Sequence, residues 1–189
     1  GHIMSPTGKL FKHLPYPIQL ISHYRKKLDN DKYLLMVSSL QAQRYPNYWN
    51  IIEEIVSLFP KNIILYIKDH PQVDIKVKLG FECIILSNKE NLEHLCFEHN
   101  IKNIIGTGST GLITLSWLGC NVFDITHLFN IEDSVKKYYD EYLDMGNGIN
   151  IINNLSELKT IFQNNFYSKE IINFKSIEGQ WSKILDEIL

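Results

Sequence analysis

The run Gly106-Thr107-Gly108-Ser109-Thr110-Gly111 holds the residues best suited to grip an anion. It follows the apolar strand-like stretch Asn103-Ile104-Ile105 and precedes a helix-length apolar stretch, Leu112 to Leu118. Backbone N–H groups and the helix dipole meet at such a junction and favour negative charge. Gly106, Gly108 and Gly111 allow a phosphate close to the backbone, and Ser109 and Thr110 add hydroxyl donors. No Gly-Lys-Ser/Thr follows, so this is not a nucleoside-triphosphate loop of the Walker kind. Nor does it follow the first strand with an acidic residue about 20 positions on, as dinucleotide binding requires. The plain alternative is that small residues merely cap and tighten a strand-to-helix turn.

A second signal is His70-Pro71, at the exit of the strand-like run Ile63–Ile67. Proline fixes the backbone after the histidine and biases His70 toward an extended conformation. That aims the imidazole out of the sheet, where it can donate to a phosphate oxygen, more strongly when protonated. Lys68 and Asp69 beside it read as a solvated pair. Gln41, Gln43 and Arg44 read either as ligand contacts from the first loop or as polar surface. Asp124, near the end of a fifth strand, is placed to meet a base or ribose. Asp140, Glu141 and Asp144 read as a solvent face, and the other six histidines, His127 among them, as ordinary surface or core residues. Neither a Ser-His-Asp order nor His-Glu-x-x-His is present, so hydrolysis has little support.

The elements that must position these residues alternate. Apolar runs at Tyr33–Val37, Ile63–Ile67, Cys83–Leu86, Asn103–Ile105, Asn121–Ile125 and Ile149–Ile152 read as buried strands. Between them, Tyr48 to about Phe59 (capped by Asn47), a stretch through Leu92, Leu95 and Cys96 (capped by Asn88), Leu112–Leu118 and Ser134–Leu143 read as helices. Asp29-Asn30-Asp31 reads as a turn. A short helix is expected over Ile18–Lys27, and a last one with Trp181, Ile184, Leu185 and Ile188 on its apolar face. Unbroken strands separated by helices specify a doubly wound parallel α/β sheet of the Rossmann class, whose ligands bind beyond the carboxyl ends of the strands. Residues 31–189 are expected to form one domain after a lead-in of residues 1–30. Gly1-His2-Ile3-Met4 reads as a tag remnant, with natural sequence from Met4 or later.

Composition agrees. The 189 residues are 44% hydrophobic and 21% charged, ordinary for a globular chain that needs no disulfide or metal. Nineteen Lys+Arg against 21 Asp+Glu give a net charge of −2, which argues against nucleic acid as partner. Cys83, Cys96 and Cys120 lack Cys-x-x-Cys spacing and read as idle thiols in a reducing compartment, with no signal peptide or membrane span in view.

The pairing of Lys68-Asp69-His70-Pro71 with Gly106–Leu112 about 40 residues later resembles bacterial sialyltransferases of the GT-B type, the lipooligosaccharide sialyltransferase and polysialyltransferase families. The resemblance covers about residues 32–154. It implies the C-terminal, donor-binding half of a GT-B fold, which takes CMP-sialic acid and a glycan acceptor in surface-glycan synthesis, lipooligosaccharide or capsule polysaccharide. It implies that His70, Ser109 and Thr110, with Pro71, Gly106 and Gly108, hold the donor phosphate, and that no metal or other cofactor is required. It further implies a cytoplasmic protein, peripheral attachment at the inner membrane being an alternative. The acidic-Gly motif that supplies the acceptor base in those families has no counterpart upstream of His70. The expected partner is therefore an N-terminal domain or a twin subunit, and the chain alone is expected to lack the catalytic base. CDP-glycerol-type transferases share a His-Pro before a downstream Ser pair and stay open. So do a non-catalytic α/β module for assembly or regulation and half of a UDP-sugar epimerase.

Overall fold

A computed structural model describes residues 28–70, 82–144 and 148–164. The chain forms β1 (Asp29–Met36), α1 (Ser39–Ala42), α2 (Tyr48–Leu58), β2 (Ile64–Lys68), β3 (Ile84–Ile85), α3 (Leu92–Glu98), β4 (Ile101–Gly106), α4 (Thr110–Trp117), β5 (Asn121–Asp124), a 3-10 turn (Thr126–Leu128), α5 (Asp133–Leu143), β6 (Asn150–Ile151) and α6 (Leu155–Asn164). The strands make one sheet in the order β3-β2-β1-β4-β5-β6, every neighbouring pair parallel. This is the doubly wound α/β architecture expected from the alternation of apolar runs and helices. The helices expected at 18–27 and around Trp181 lie outside the described residues, as does Pro71.

Strand alternation sorts the apolar residues into two cores. Leu34, Ile104 and Val122 face one side of the sheet and meet Leu95 and Cys96 of α3 and Leu112 and Leu115 of α4. Leu35, Ile67, Ile105 and Phe123 face the other and meet Ile52 and Ile55 of α2 and Leu158 and Phe162 of α6. Each fully buried Leu or Ile contributes roughly 1.5–3 kcal/mol of transfer free energy. α4 is packed on several faces, with Leu112, Ile113, Leu115 and Ser116 all buried. It is therefore a rigid platform for the turn that precedes it.

Two local expectations change. Asp29-Asn30-Asp31 is strand, not turn, because β4 reaches back to it. The Asp29 amide donates to Asn100 O at 2.8 Å, and Asn103 Nδ2 donates to Asn30 O at 2.6 Å. The β1–β4 register shifts between Asp29 and Tyr33 to absorb this contact. The cap of α3 is Asn91 rather than Asn88, its side chain accepting from the His94 amide at 2.9 Å. Asn47 does precede α2, but its side chain makes no capping bond and its Oδ1 is buried with no partner among the described residues.

Candidate functional site

Strand order reverses between β1 and β4, so connections leave these two neighbours toward opposite sides of the sheet. Beyond their carboxyl ends lies the crevice where such sheets take ligands. Three exits meet there. Val37-Ser38-Ser39 follows β1, Asp69-His70 follows β2, and Thr107-Gly108-Ser109 follows β4.

Ser109 is the N-cap of α4, extended at φ −129° and ψ 144°, and its Oγ accepts the Gly111 amide at 3.2 Å. The Ser109 carbonyl accepts the Leu112 amide at 3.0 Å. Among the described residues, the amides of Ser109 and Thr110 have no protein acceptor. They stand at the positive end of the α4 dipole, which favours an anion there. The turn's hydroxyls are differently placed. Thr107 Oγ1 donates to Gln41 Oε1 at 2.5 Å, and Thr110 Oγ1 shares a bond of 2.7 Å with the Tyr142 hydroxyl.

At each of the turn's glycines a side chain would press on a neighbour, most severely at Gly108. A Cβ on Gly108 would lie 2.1 Å from Tyr139 Cδ1, and one on Gly111 2.4 Å from Leu92 Cδ2. On Gly106 it would press on Met36 Cβ at 3.1 Å. So Gly108 admits the Tyr139 ring of α5 against the turn, while Gly106 and Gly111 let α4 pack close to β1 and α3.

Asp124, at the end of β5, has no exposed surface. Its Oδ2 accepts from the Gly108 amide at 2.7 Å and from Thr126 Oγ1 at 3.0 Å, and its Oδ1 accepts the Thr126 amide at 3.0 Å. Both oxygens are thus spent inside the protein. The residue read as a ribose or base contact instead anchors the turn. Burial pushes its carboxyl pKa up to about 6, against the pull of the Thr126 and Gly108 hydrogen bonds and of nearby His127.

The β1 and β2 exits are tied in the same way. Asp69 Oδ1 accepts the Ser39 amide at 3.0 Å and the His70 amide at 2.6 Å, while Oδ2 accepts from the Ser39 hydroxyl. Lys68 Nζ donates to Ser87 O and Asn88 O, each at 3.0 Å, which holds the β3 exit. Lys68 and Asp69 are both buried, so they are not a solvated pair. Burial lowers the Lys68 pKa. Behind β1, the buried Tyr48 hydroxyl accepts the Ser38 amide at 2.7 Å, and burial raises its pKa.

His70 therefore lies half-buried at the β2 exit, on the far side of the β1 exit from the Ser109/Thr110 turn. Two strand spacings separate β2 from β4, about 10 Å. Arg44 and Tyr45, beyond α1, act electrostatically on Tyr139, whose pKa is raised mainly by burial. This brings the first loop beside α5. Sequence reasoning missed the α5 contacts. Asp140 is no free solvent residue, since its Oδ1 lies 2.8 Å from His127 Nε2, and His127 Nδ1 lies 3.0 Å from Asn153 Oδ1. The tyrosines at 138, 139 and 142 were the available signal, an aromatic stripe on an otherwise polar helix.

Among the described residues, no group of three or more His, Cys, Asp or Glu side chains could hold a metal ion. No helix among them is long and apolar enough to cross a membrane. No protein-family model and no curated protein matches this chain. One solved structure it resembles is the wall teichoic acid polymerase TagF, a His-to-Asn variant soaked with CDPG, at 12% identity and a TM-score of 0.41. The match covers 78% of this chain and 41% of that one.

Proposed function

We propose that this chain is the donor-binding half of a glycosyltransferase, and that it holds the phosphate of a cytidine-nucleotide donor at the start of α4. The observation that carries the reading is the pair of amides, Ser109 and Thr110, that lack partners among the described residues, at the positive end of α4 and at the switch point of the sheet. The buried Asp124 supports it, because it fixes the turn in advance of any ligand. In the reaction, an acceptor hydroxyl attacks the anomeric carbon as the bond to the nucleotide phosphate breaks. The Ser109 and Thr110 amides stabilise the charge that grows on the departing phosphate, the role of a preorganised donor site. His70 adds a hydrogen bond from the other side of the crevice, with Pro71 after it, and Gly106 and Gly108 shape the turn. The base for the acceptor hydroxyl comes from another domain or subunit. The sialyltransferase-like motifs favour CMP-sialic acid as donor, in lipooligosaccharide or capsule synthesis. A CDP-linked donor of the CDP-glycerol type is the alternative; there the acceptor hydroxyl attacks the β-phosphorus, the glycerol phosphate is transferred and CMP departs with the charge that the same amides would stabilise.

A different class of function has its own support. The hydroxyls of Thr107, Ser109 and Thr110 all bond within the protein, which suits a structural turn in a non-catalytic α/β module. Calorimetric titration with CMP, CDP and UDP separates the two. The transferase reading predicts a cytidine preference, with binding at least tenfold weaker in His70→Ala. Tighter binding of UDP, or binding unchanged in His70→Ala, would contradict it.

A further inference from the structure

The turn after β4 is covered by α5, which joins the apolar core only near its end, through Leu143 and the partly buried Tyr142. Of its eleven residues only Leu143 is buried. The Tyr139 ring lies on Gly108, the Tyr142 hydroxyl bonds Thr110 at 2.7 Å, and Asp140 bonds His127 at 2.8 Å. The sheet beneath is different in kind, since Leu34, Leu35, Ile104 and Ile105 have no exposed surface. Elements held by few apolar contacts open more readily than the core they rest on.

We propose that α5 is a gate over the anion-binding turn, with Tyr142 occupying the Thr110 hydroxyl until a ligand takes it. The proposal rests on the donor-phosphate reading above for the identity of that ligand, but not for the motion of the helix. In the closed state Thr110 spends its hydroxyl on Tyr142. When α5 lifts, Tyr139 leaves Gly108 and the Thr110 hydroxyl turns to the phosphate beside the Ser109 and Thr110 amides. The ligand thus competes with a built-in partner, and removing that partner should strengthen binding. One net hydrogen bond of ordinary strength corresponds to about fivefold.

The test is hydrogen exchange on the intact chain without ligand, for wild type, Tyr142→Phe and Asp140→Asn, followed by titration of each with CDP. A gate predicts that amides 137–143 exchange about fivefold faster in both variants while those of β1 and β4 keep their rates. Unchanged exchange in α5, or acceleration of the whole domain together, would overturn it. In the titration, the gate predicts CDP binding to Tyr142→Phe tighter by up to about fivefold. Weaker binding would overturn the gate and make Tyr142 a ligand contact. Local acceleration in α5 with no nucleotide bound by any of the three proteins would support the mobile cover and reject the donor-phosphate reading.

Discussion

Asp124 accepts the Gly108 amide at 2.7 Å, so a buried carboxylate at the end of β5 fixes the turn at the end of β4. Thr126 Oγ1 accepts the same amide at 2.9 Å. With Gly108 drawn inward by two acceptors, the next two amides, Ser109 and Thr110, are left without partners among the described residues at the start of α4. The position of the turn is thereby set by two side chains, Asp124 and Thr126, that bond its backbone from within the protein.

The Asp124 carboxyl gives the domain a predictable pH dependence. Its folded pKa is near 6, against about 3.9 in an unfolded chain. Between these values the folded state binds more protons than the unfolded state, so this group's contribution to stability falls as pH rises through the window and is flat above it. The change is about 2–3 kcal/mol. Asparagine cannot ionise. Urea unfolding should therefore show the advantage of wild type over Asp124→Asn shrinking by that amount between pH 4 and pH 6.5. An advantage that stays constant or grows would contradict the assignment.

Gly108→Ala should destabilise through a single contact. The new Cβ would stand 2.1 Å from Tyr139 Cδ1, so the ring and the helix that carries it must move. Overpacking of this kind costs about 1–3 kcal/mol. Adding Tyr139→Ala should recover a large part of the loss, a coupling that a double-mutant cycle measures by thermal or urea unfolding. Strict additivity of the two substitutions would show that the ring is not the obstacle.

Asp69→Ala should cost about 2–4 kcal/mol, because the buried carboxylate joins the β1 and β2 exits. Its loss strands the Ser39 and His70 amides and the Ser39 hydroxyl together. The same variant should bind cytidine nucleotides more weakly, since the backbone carrying His70 is no longer held. Chemical denaturation and calorimetry on one sample check both effects. Stability within about 0.5 kcal/mol of wild type would show Asp69 to be an ordinary surface residue.

The layered α/β fold was legible because a parallel sheet buried on both faces demands unbroken apolar runs such as Leu34-Leu35 and Ile104-Ile105. The glycine turn was legible because its residue types are unusual and adjacent. The roles of Asp124, Lys68, Asp69 and Asp140 were not. A charged residue near a strand end looks alike in sequence whether it faces water or a buried amide 16 positions away, as Asp124 and Gly108 do. Asp29–Asp31 misled for a related reason. Their turn-like composition is overridden by the Asn103 side chain, which draws Asn30 into the sheet. Tertiary partners of this sort leave no local signature.

In the proposed donor site, the backbone amide of Thr110 receives the donor phosphate. Thr110 is the first residue of α4, where proline is tolerated because its missing N–H has no helical partner. Ser109 before it is already extended, as proline requires of its neighbour. Calorimetric titration of CDP into wild type, Thr110→Val and Thr110→Pro then separates hydroxyl from amide. Valine, which keeps the N–H, should shift the affinity by no more than about fivefold. Proline should weaken binding by at least tenfold, the charge-assisted hydrogen bond being the stronger one, with its melting temperature close to that of the valine variant. Equal affinity of the valine and proline variants for CDP would show that the Thr110 amide does not meet the phosphate.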